Sequence, residues 1–384
     1  DNFSTCVKMS SSSPASSNSN KTFTLDPYDN LTRLTTYLTR VTTGVKDTAG
    51  NAMSSQYENS SPVTTKNLWG VTYGNGLFVT VGWNGTILTS SDGTSWDNRT
   101  SGTSKKLNGG TYANSTFVTV GGSGTILTST DGTSWDNRTS GTTKNLWEVT
   151  YGNSTFVAVG ISGTIITSSD GTSWDNKTSG TSKNFKGLTF GNSTFVTVGQ
   201  SGYILTSSDG TTWDNRTSGT SNFLYGVTYG NSTFVAVGDS GNILTSSDGT
   251  SWDNRTSGTS NLLNGVTYGN STFVAVGDSG NILTSSDGTS WDNRTSGTSN
   301  DLYGVTYENS TYVATGENGT ILTSSDGITW TSLFFGFTTD NISTAKLTVS
   351  NSSLTSGTTY YWKVVASDPK GGSAQSETWS FTVQ

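Results

Sequence analysis

The sequence predicts an all-β protein built around a seven-bladed β-propeller, and three observations carry that expectation. First, the phrase Ser-x-Asp-Gly-x-Ser/Thr-Trp occurs seven times in 384 residues. Its aspartates, Asp92, Asp131, Asp170, Asp209, Asp248, Asp287 and Asp326, follow one another at a constant spacing of 39 residues. A fixed period near that length, filled with short strand-like runs and glycine turns, is the mark of a propeller, one blade per repeat. Second, apolar residues recur in register. One slot reads Phe78, Phe117, Phe156, Phe195, Phe234, Phe273 and Tyr312, and another is isoleucine in every repeat from Ile87 to Ile321. Third, only 12% of residues are charged and 30% are apolar. That composition would suit a disordered chain if it lacked the period.

Each repeat reads as four antiparallel strands. In the fifth, Gly226 to Tyr229 is a short alternating run that forms the innermost strand, and Gly230-Asn231-Ser232 is a turn. Thr233 to Val237 is the second strand, and Gly238-Asp239-Ser240-Gly241 a tight hairpin with glycines where positive φ is expected. Asn242 to Thr245 is the third strand. Ser246 to Ser251 turns the chain, and Trp252 opens an outer strand through Arg255 and Thr256. The Phe234 and Ile243 slots are expected to pack between neighbouring blades.

The repeated phrase, as in Ser246-Ser247-Asp248-Gly249-Thr250-Ser251-Trp252, resembles the Asp-box (BNR) repeat of sialidase-type propellers, one residue shorter than that family's Ser-x-Asp-x-Gly-x-Thr-Trp. The resemblance covers most of the chain. It implies a folding device in which the aspartate caps turn amides and the tryptophan plugs the blade, away from any active site. The chemistry of the residues agrees, because an aspartate in a tight turn bonds its own backbone two residues on.

The same resemblance invites a test for catalysis. A sialidase needs three arginines converging on a carboxylate. Here Arg99, Arg138, Arg216, Arg255 and Arg294 share one outer-strand slot, with Lys177 in the third blade, and only Arg33 and Arg40 lie elsewhere. Peripheral repetition cannot converge on the axis. A glycosidase would need two unique carboxylates a few ångströms apart, and in the propeller the acids outside repeated slots are few: Glu148, Asp239, Asp278, Asp301, Glu308 and Glu317. With no histidine there is no imidazole base or ligand, and the single cysteine, Cys6, excludes an internal disulfide and cysteine-rich metal centres. The expectation is a protein that is not an enzyme and needs no cofactor. Asp239, Asp278 and Glu317 share a hairpin slot in consecutive blades, where a calcium site and a solvated rim are the two readings.

Function is sought where the repeats disagree. The slot before the innermost strand reads Trp69, Asn108, Trp147, Lys186, Tyr225, Asn264 and Tyr303. The hairpin slot reads Trp83, Gly122, Ile161, Gln200, Asp239, Asp278 and Glu317. Both are expected on one face of the propeller. There Trp69, Trp83, Trp147, Tyr225 and Tyr303 would form an exposed aromatic set suited to sugar stacking or protein contact, with drift at unconstrained loops as the alternative. Asn-x-Ser/Thr sequences, among them Asn98, Asn114, Asn137 and Asn153, match the glycosylation acceptor pattern on the surface.

Three segments follow: 1–65, 66–332 for the propeller, and 333–384. In the first, Thr43-Gly44-Val45-Lys46-Asp47-Thr48-Ala49-Gly50-Asn51-Ala52 resembles the end of a bacterial Ig-like domain. In the last, Leu354 to Ala366 and Glu377 to Val383 resemble the later part of a fibronectin type III domain. Sandwiches of this kind take about seven strands over about 100 residues, so each piece is short. The pieces complete each other within one chain, or complete across subunits by strand donation into a homopolymeric, pilus-like fibre, or belong to something longer.

The function this sequence predicts is a structural protein, a surface filament subunit assembled by strand complementation. The alternative is an adhesin or glycan-binding propeller. The net charge of −7 argues against nucleic acid, no stretch is apolar enough to span a membrane, and the Ser/Thr/Asn bias suits a bacterial extracellular or cell-surface location. The chain opens at Asp1 with no signal peptide in view and reads as processed or partial.

Overall fold

The computed structural model describes residues 64–332 in full, and outside them the backbone of nine short strands. The chain divides into two compact units: Val63–Ser332 forms one, and Asp1–Pro62 together with Leu333–Gln384 forms the other.

The first unit is a seven-bladed propeller. Each blade is a four-stranded antiparallel sheet whose strands follow chain order from inside to outside. In the fifth blade the strands are Leu224–Gly230, Thr233–Gly238, Ile243–Ser246 and Asp253–Arg255. The innermost strand is longer than the sequence suggests, and the outermost begins after Trp252 rather than at it. The tryptophan is held in the turn, where its Nε1 donates to the Gly249 carbonyl (2.9 Å).

The Asp248 turn explains why the phrase repeats. Its Oδ1 accepts from the Thr250 amide (2.8 Å), the Ser251 amide (3.0 Å) and the Ser246 hydroxyl (3.0 Å), while Ser246 Oγ accepts from the Gly249 amide (2.8 Å). Gly249 sits at φ 75°, a left-handed conformation that glycine adopts without cost. One carboxylate thus satisfies two backbone donors that the turn would leave bare.

The core lies between blades. Val235, Val237 and Ile243 of the fifth blade pack with Leu263, Phe273, Ala275 and Leu283 of the sixth, all essentially inaccessible to solvent. The same set recurs at the junction of the fourth and fifth blades. Each such side chain withdrawn from water contributes roughly 1.5–3 kcal/mol, which is why these slots hold one residue type round the ring. In the seventh blade Tyr312 replaces phenylalanine, and its hydroxyl donates to the Gly269 carbonyl of the sixth.

No strand is exchanged to close the ring. The Asn318 amide of the last blade donates to Asn67 Oδ1 (3.1 Å), in the segment that enters the first. This bond has counterparts within the ring, where Asn145, Asn184 and Asp301 accept from the amides of Ser123, Ser162 and Ser279.

In the second unit, Thr22–Leu25 pairs on one side with Ala15–Ser17 and on the other with Ala345–Thr348, in the register Thr22↔Thr348 to Leu25↔Ala345. The chain before the propeller and the chain after it therefore share a sheet. Further antiparallel pairs join Thr39–Val41 with Tyr57–Asn59, Thr359–Trp362 with Trp379–Thr382, and Val365–Ser367 with Ser373–Gln375. Cys6, Arg33 and the turn over 43–52 lie outside the described residues.

Candidate binding face

The variable slot at the start of each innermost strand is a β-bulge. In the first blade Leu68 pairs with Gly82 and Gly70 with Val81, leaving Trp69 without a partner. Tyr225 and Tyr303 are bulged in the same way. A bulge adds a residue to one strand and re-aims its side chain, a device common beside binding sites. The ladder places no demand on this side chain, so it is free to differ from blade to blade.

The hairpins meet these bulges on one face. The amide of each hairpin's first residue donates to the carbonyl two residues before the bulge, as from Trp83 to Asn67 (2.9 Å) and from Asp239 to Phe223 (2.9 Å). Trp69, Trp147, Lys186, Tyr225, Tyr303, Asp239, Asp278 and Glu317 therefore line one rim, each partly buried. Of the five rings only Trp83, 53% exposed, is open to solvent. This corrects the expectation of an exposed aromatic set. The other four rings are covered because they stack on one another and on lysines.

The coverage forms a continuous belt. Trp69 stacks on Tyr303 with centroids 4.2 Å apart. Lys106 Nζ lies 3.9 Å from the Trp69 ring centroid and 4.5 Å from that of Trp147. Lys186 Nζ lies 4.7 Å from Trp147 and 4.2 Å from Tyr225. At this range a cation is held by the ring quadrupole. Asn264 continues the circuit, donating to Asp278 Oδ1 (3.0 Å) and to the Leu302 carbonyl (3.0 Å). In the second blade Asn108 turns inward to the Leu146 carbonyl (2.7 Å), and Lys106 fills its place in the belt.

Lys106 escaped the sequence reading, although a signal existed. It belongs to a third varying slot, Asn67, Lys106, Asn145, Asn184, Phe223, Leu262 and Asp301. Where this slot holds Asn or Asp it caps the preceding hairpin, so most of its members read as structural.

Charge is divided across the face. Lys66, Lys105, Lys106, Lys144, Lys183 and Lys186 enter the first four blades, whereas Asp239, Asp278, Asp301 and Glu317 belong to the last three. Burial pulls the Lys186 ammonium down to about 8, with the Lys106 charge adding to it and Asp239 and Asp278 opposing it. Burial also lowers Lys106. On the acidic side burial raises Asp278, and it lifts the Tyr225 and Tyr303 hydroxyls to about 12, with neighbouring carboxylates adding to the effect. Asp239 accepts from the Phe223 amide (3.3 Å). Among the described residues no group of three acids, cysteines or histidines is placed to hold a metal ion.

Glu148 is a separate singularity. Its slot is glycine in the six other blades, at Gly70, Gly109, Gly187, Gly226, Gly265 and Gly304. A Cβ there would approach the next blade's backbone, within 2.6 Å of the Asn108 carbonyl oxygen at Gly70. Glu148 retains some surface, but its carboxyl is enclosed against Gly109 and accepts only the Val149 amide (3.0 Å). Burial pushes it up to about 8, well beyond what that one bond recovers.

The periphery offers nothing comparable. Arg255 Nε donates to Thr245 Oγ1 (2.8 Å) and its Nη2 to Asp253 (3.0 Å), and the equivalent arginines repeat the arrangement. The Asp-turn carboxylates are spent on their own backbones. Asn98 and Asn137 are exposed on outer strands, and Asn114 and Asn153 at turns with φ 48° and 45°.

Comparison with known proteins gives two kinds of likeness. Residues 2–65 match the family of bacterial Ig-like domains. No curated protein is similar enough to match the chain. Among solved structures, YCF48 bound to D1 peptide is similar at 19% identity and a TM-score of 0.57, over 68% of this chain and 92% of that one. YCF48 from Cyanidioschyzon merolae gives 17% identity and 0.56, over 68% and 95%. The WD40 β-propeller domain of Doa1 gives 13% and 0.54, over 67% and 92%. At such identities the likeness is one of fold. A bacterial Ig-like segment beside a propeller points to a bacterial surface or extracellular protein. No helix among the described residues is long and apolar enough to cross a membrane.

Proposed function

We propose that this is a non-catalytic bacterial surface protein whose propeller presents the hairpin face as a glycan-binding surface. One observation carries the reading. The slots free to vary converge on a single rim, and there they build a stacked belt of rings and cations rather than a scatter of loop residues. The exposed Trp83 indole suits the carbon face of a sugar, and the Asn, Asp and Lys groups held by the covered rings supply hydrogen bonds that orient a ligand. The test is a glycan array probed with the intact chain and with Trp83→Ala and Trp147→Ala. The expected result is selective binding that both variants lose while their melting temperatures stay near the parent's. Uniform absence of binding would count against the reading.

A second reading, a filament subunit built by strand donation, is favoured by the short terminal ladders. Thr39–Val41 has only Tyr57–Asn59 as a partner among the described residues. Unpaired edges recruit other chains. The pairing of Thr22–Leu25 with Ala345–Thr348 weighs the other way, since it completes part of a sheet within one chain. Electron microscopy at high concentration separates the two: discrete particles would remove the fibre.

A further inference from the structure

We propose that the cationic side of this face is an anion site, with the Lys106 and Lys186 ammonium groups as its donors, and that its ligand is an acidic sugar whose carboxylate takes the lysines while its ring rests on Trp83. This deepens the glycan-binding reading and rests on it.

The two ammonium groups share the Trp147 ring and are covered by Trp69 and Tyr225. Among the described residues neither donates a hydrogen bond and neither has a carboxylate within 4.0 Å. The outer-strand cations differ in this respect: each is paired with the aspartate two residues before it, at 2.9–3.9 Å. A partly buried cation held only by π faces keeps its N–H donors unfilled, which is costly without a partner. The lowered affinity of both lysines for their protons expresses the same cost, and a bound anion offsets it.

Geometry narrows the ligand. Asp239 and Asp278, in the two following blades, act on Lys186 through their charge, but neither carboxylate comes within 4.0 Å of its ammonium, so they leave its donors unfilled. A simple inorganic anion would use the lysines and leave the aromatic surface idle. Trp83, more than half exposed, is carried by the hairpin that packs against strand Leu107–Ala113, the strand that Lys106 leads into. Unpaired ammonium groups on the same face as an exposed indole fit a carboxylated pyranose better than either group alone. Lysine serves here as a point charge on a carboxylate, and the indole provides the apolar face.

The experiment is calorimetric titration of the whole chain with methyl β-glucuronide, with methyl β-glucoside and sodium sulfate as controls, at pH 6.5 and 9. We expect glucuronide to bind at least tenfold more tightly than either control. Its affinity should fall at pH 9 as Lys186 loses its proton, and should fall at least tenfold in Lys106→Gln and in Lys186→Gln. Trp83→Ala should weaken glucuronide and leave sulfate unchanged. A lysine variant that binds glucuronide like the parent overturns the anion site. If neutral glycans on the array still depend on Trp147, the broader glycan-binding reading survives that loss. Sulfate binding as tightly as glucuronide overturns the sugar assignment. Lysine NMR on the parent, needing no variant, should show the Lys186 titration move upward on saturation with glucuronide, and an unmoved titration counts against the proposal.

Discussion

Arg255 and Lys186 are both cations in repeated slots, yet they lead opposite lives. Arg255 stands on the outer strand, where the ladder fixes its direction and Asp253 and Thr245 meet it in register. Lys186 stands in a bulge, where no ladder partner fixes it, and its neighbours are rings. The periphery is a region where each polar group is satisfied by its own repeat. The hairpin face is one where groups from different blades satisfy each other incompletely. The difference teaches that sequence repetition marks self-sufficiency, and departure from it marks dependence on neighbours or on a ligand.

The comparison can be sharpened in steps. The largest effect belongs to the core layer repeated in every blade. Phe234→Ala empties a fully buried site between two blades and should cost about 3–5 kcal/mol, read as a lower midpoint in denaturant unfolding. An effect below about 1 kcal/mol would mean the blades do not depend on this layer.

Glu148→Gly restores the residue of the other six blades. The folded carboxyl is raised to about 8 from its ordinary 4.5, so the unfolded chain ionises first and stability falls as pH rises through that window. The variant should lack this fall. Its melting temperature should exceed the parent's clearly at pH 8 and much less at pH 4. Equal gains at both would place the benefit in packing rather than charge.

The Asp turns act in the opposite sense. Burial would raise the Asp92 carboxyl, but the Ser95 and Thr94 amides and nearby hydroxyls outweigh it and hold it at about 2. For Asp248 the Thr250 hydroxyl leads the lowering. Folded values below the unfolded ones contribute stability above about pH 4, lost as pH falls through the folded values. Acid unfolding should therefore be steep below pH 4, and an Asp248→Asn variant should shift its midpoint only modestly, since one of seven turns is changed. No shift in any such variant would mean the turns hold without their charge.

The smallest effect is expected at Arg255→Gln. Its partner Asp253 is exposed, and such pairs are worth about 0–1 kcal/mol. A larger loss would show that the periphery is less redundant than its repetition suggests.

Much of this molecule was legible without coordinates. The period fixed the number of blades, because one supersecondary unit per repeat is the economical way to bury identical apolar slots. The Ser246 to Trp252 turn was legible because its bonds are local, within six residues of chain. The extent of the strands was less so. Tyr225 belongs to the innermost strand only because a bulge tolerates it, and bulges leave no compositional trace.

What the sequence by itself determined is therefore the repeating frame: the blade, its Asp turn, its interblade layers and the face on which variation collects. What only tertiary structure decided is the meaning of that variation. Whether Trp147 is exposed or covered by lysines, and whether Lys106 joins a belt of rings from the blades on either side, are outcomes of ring closure, and whether Thr22–Leu25 finds Ala345–Thr348 is decided separately in the other unit. Closure brings together residues of neighbouring repeats, and at the seam Asn67 with Asn318 across 251 positions, and no local preference encodes such a meeting.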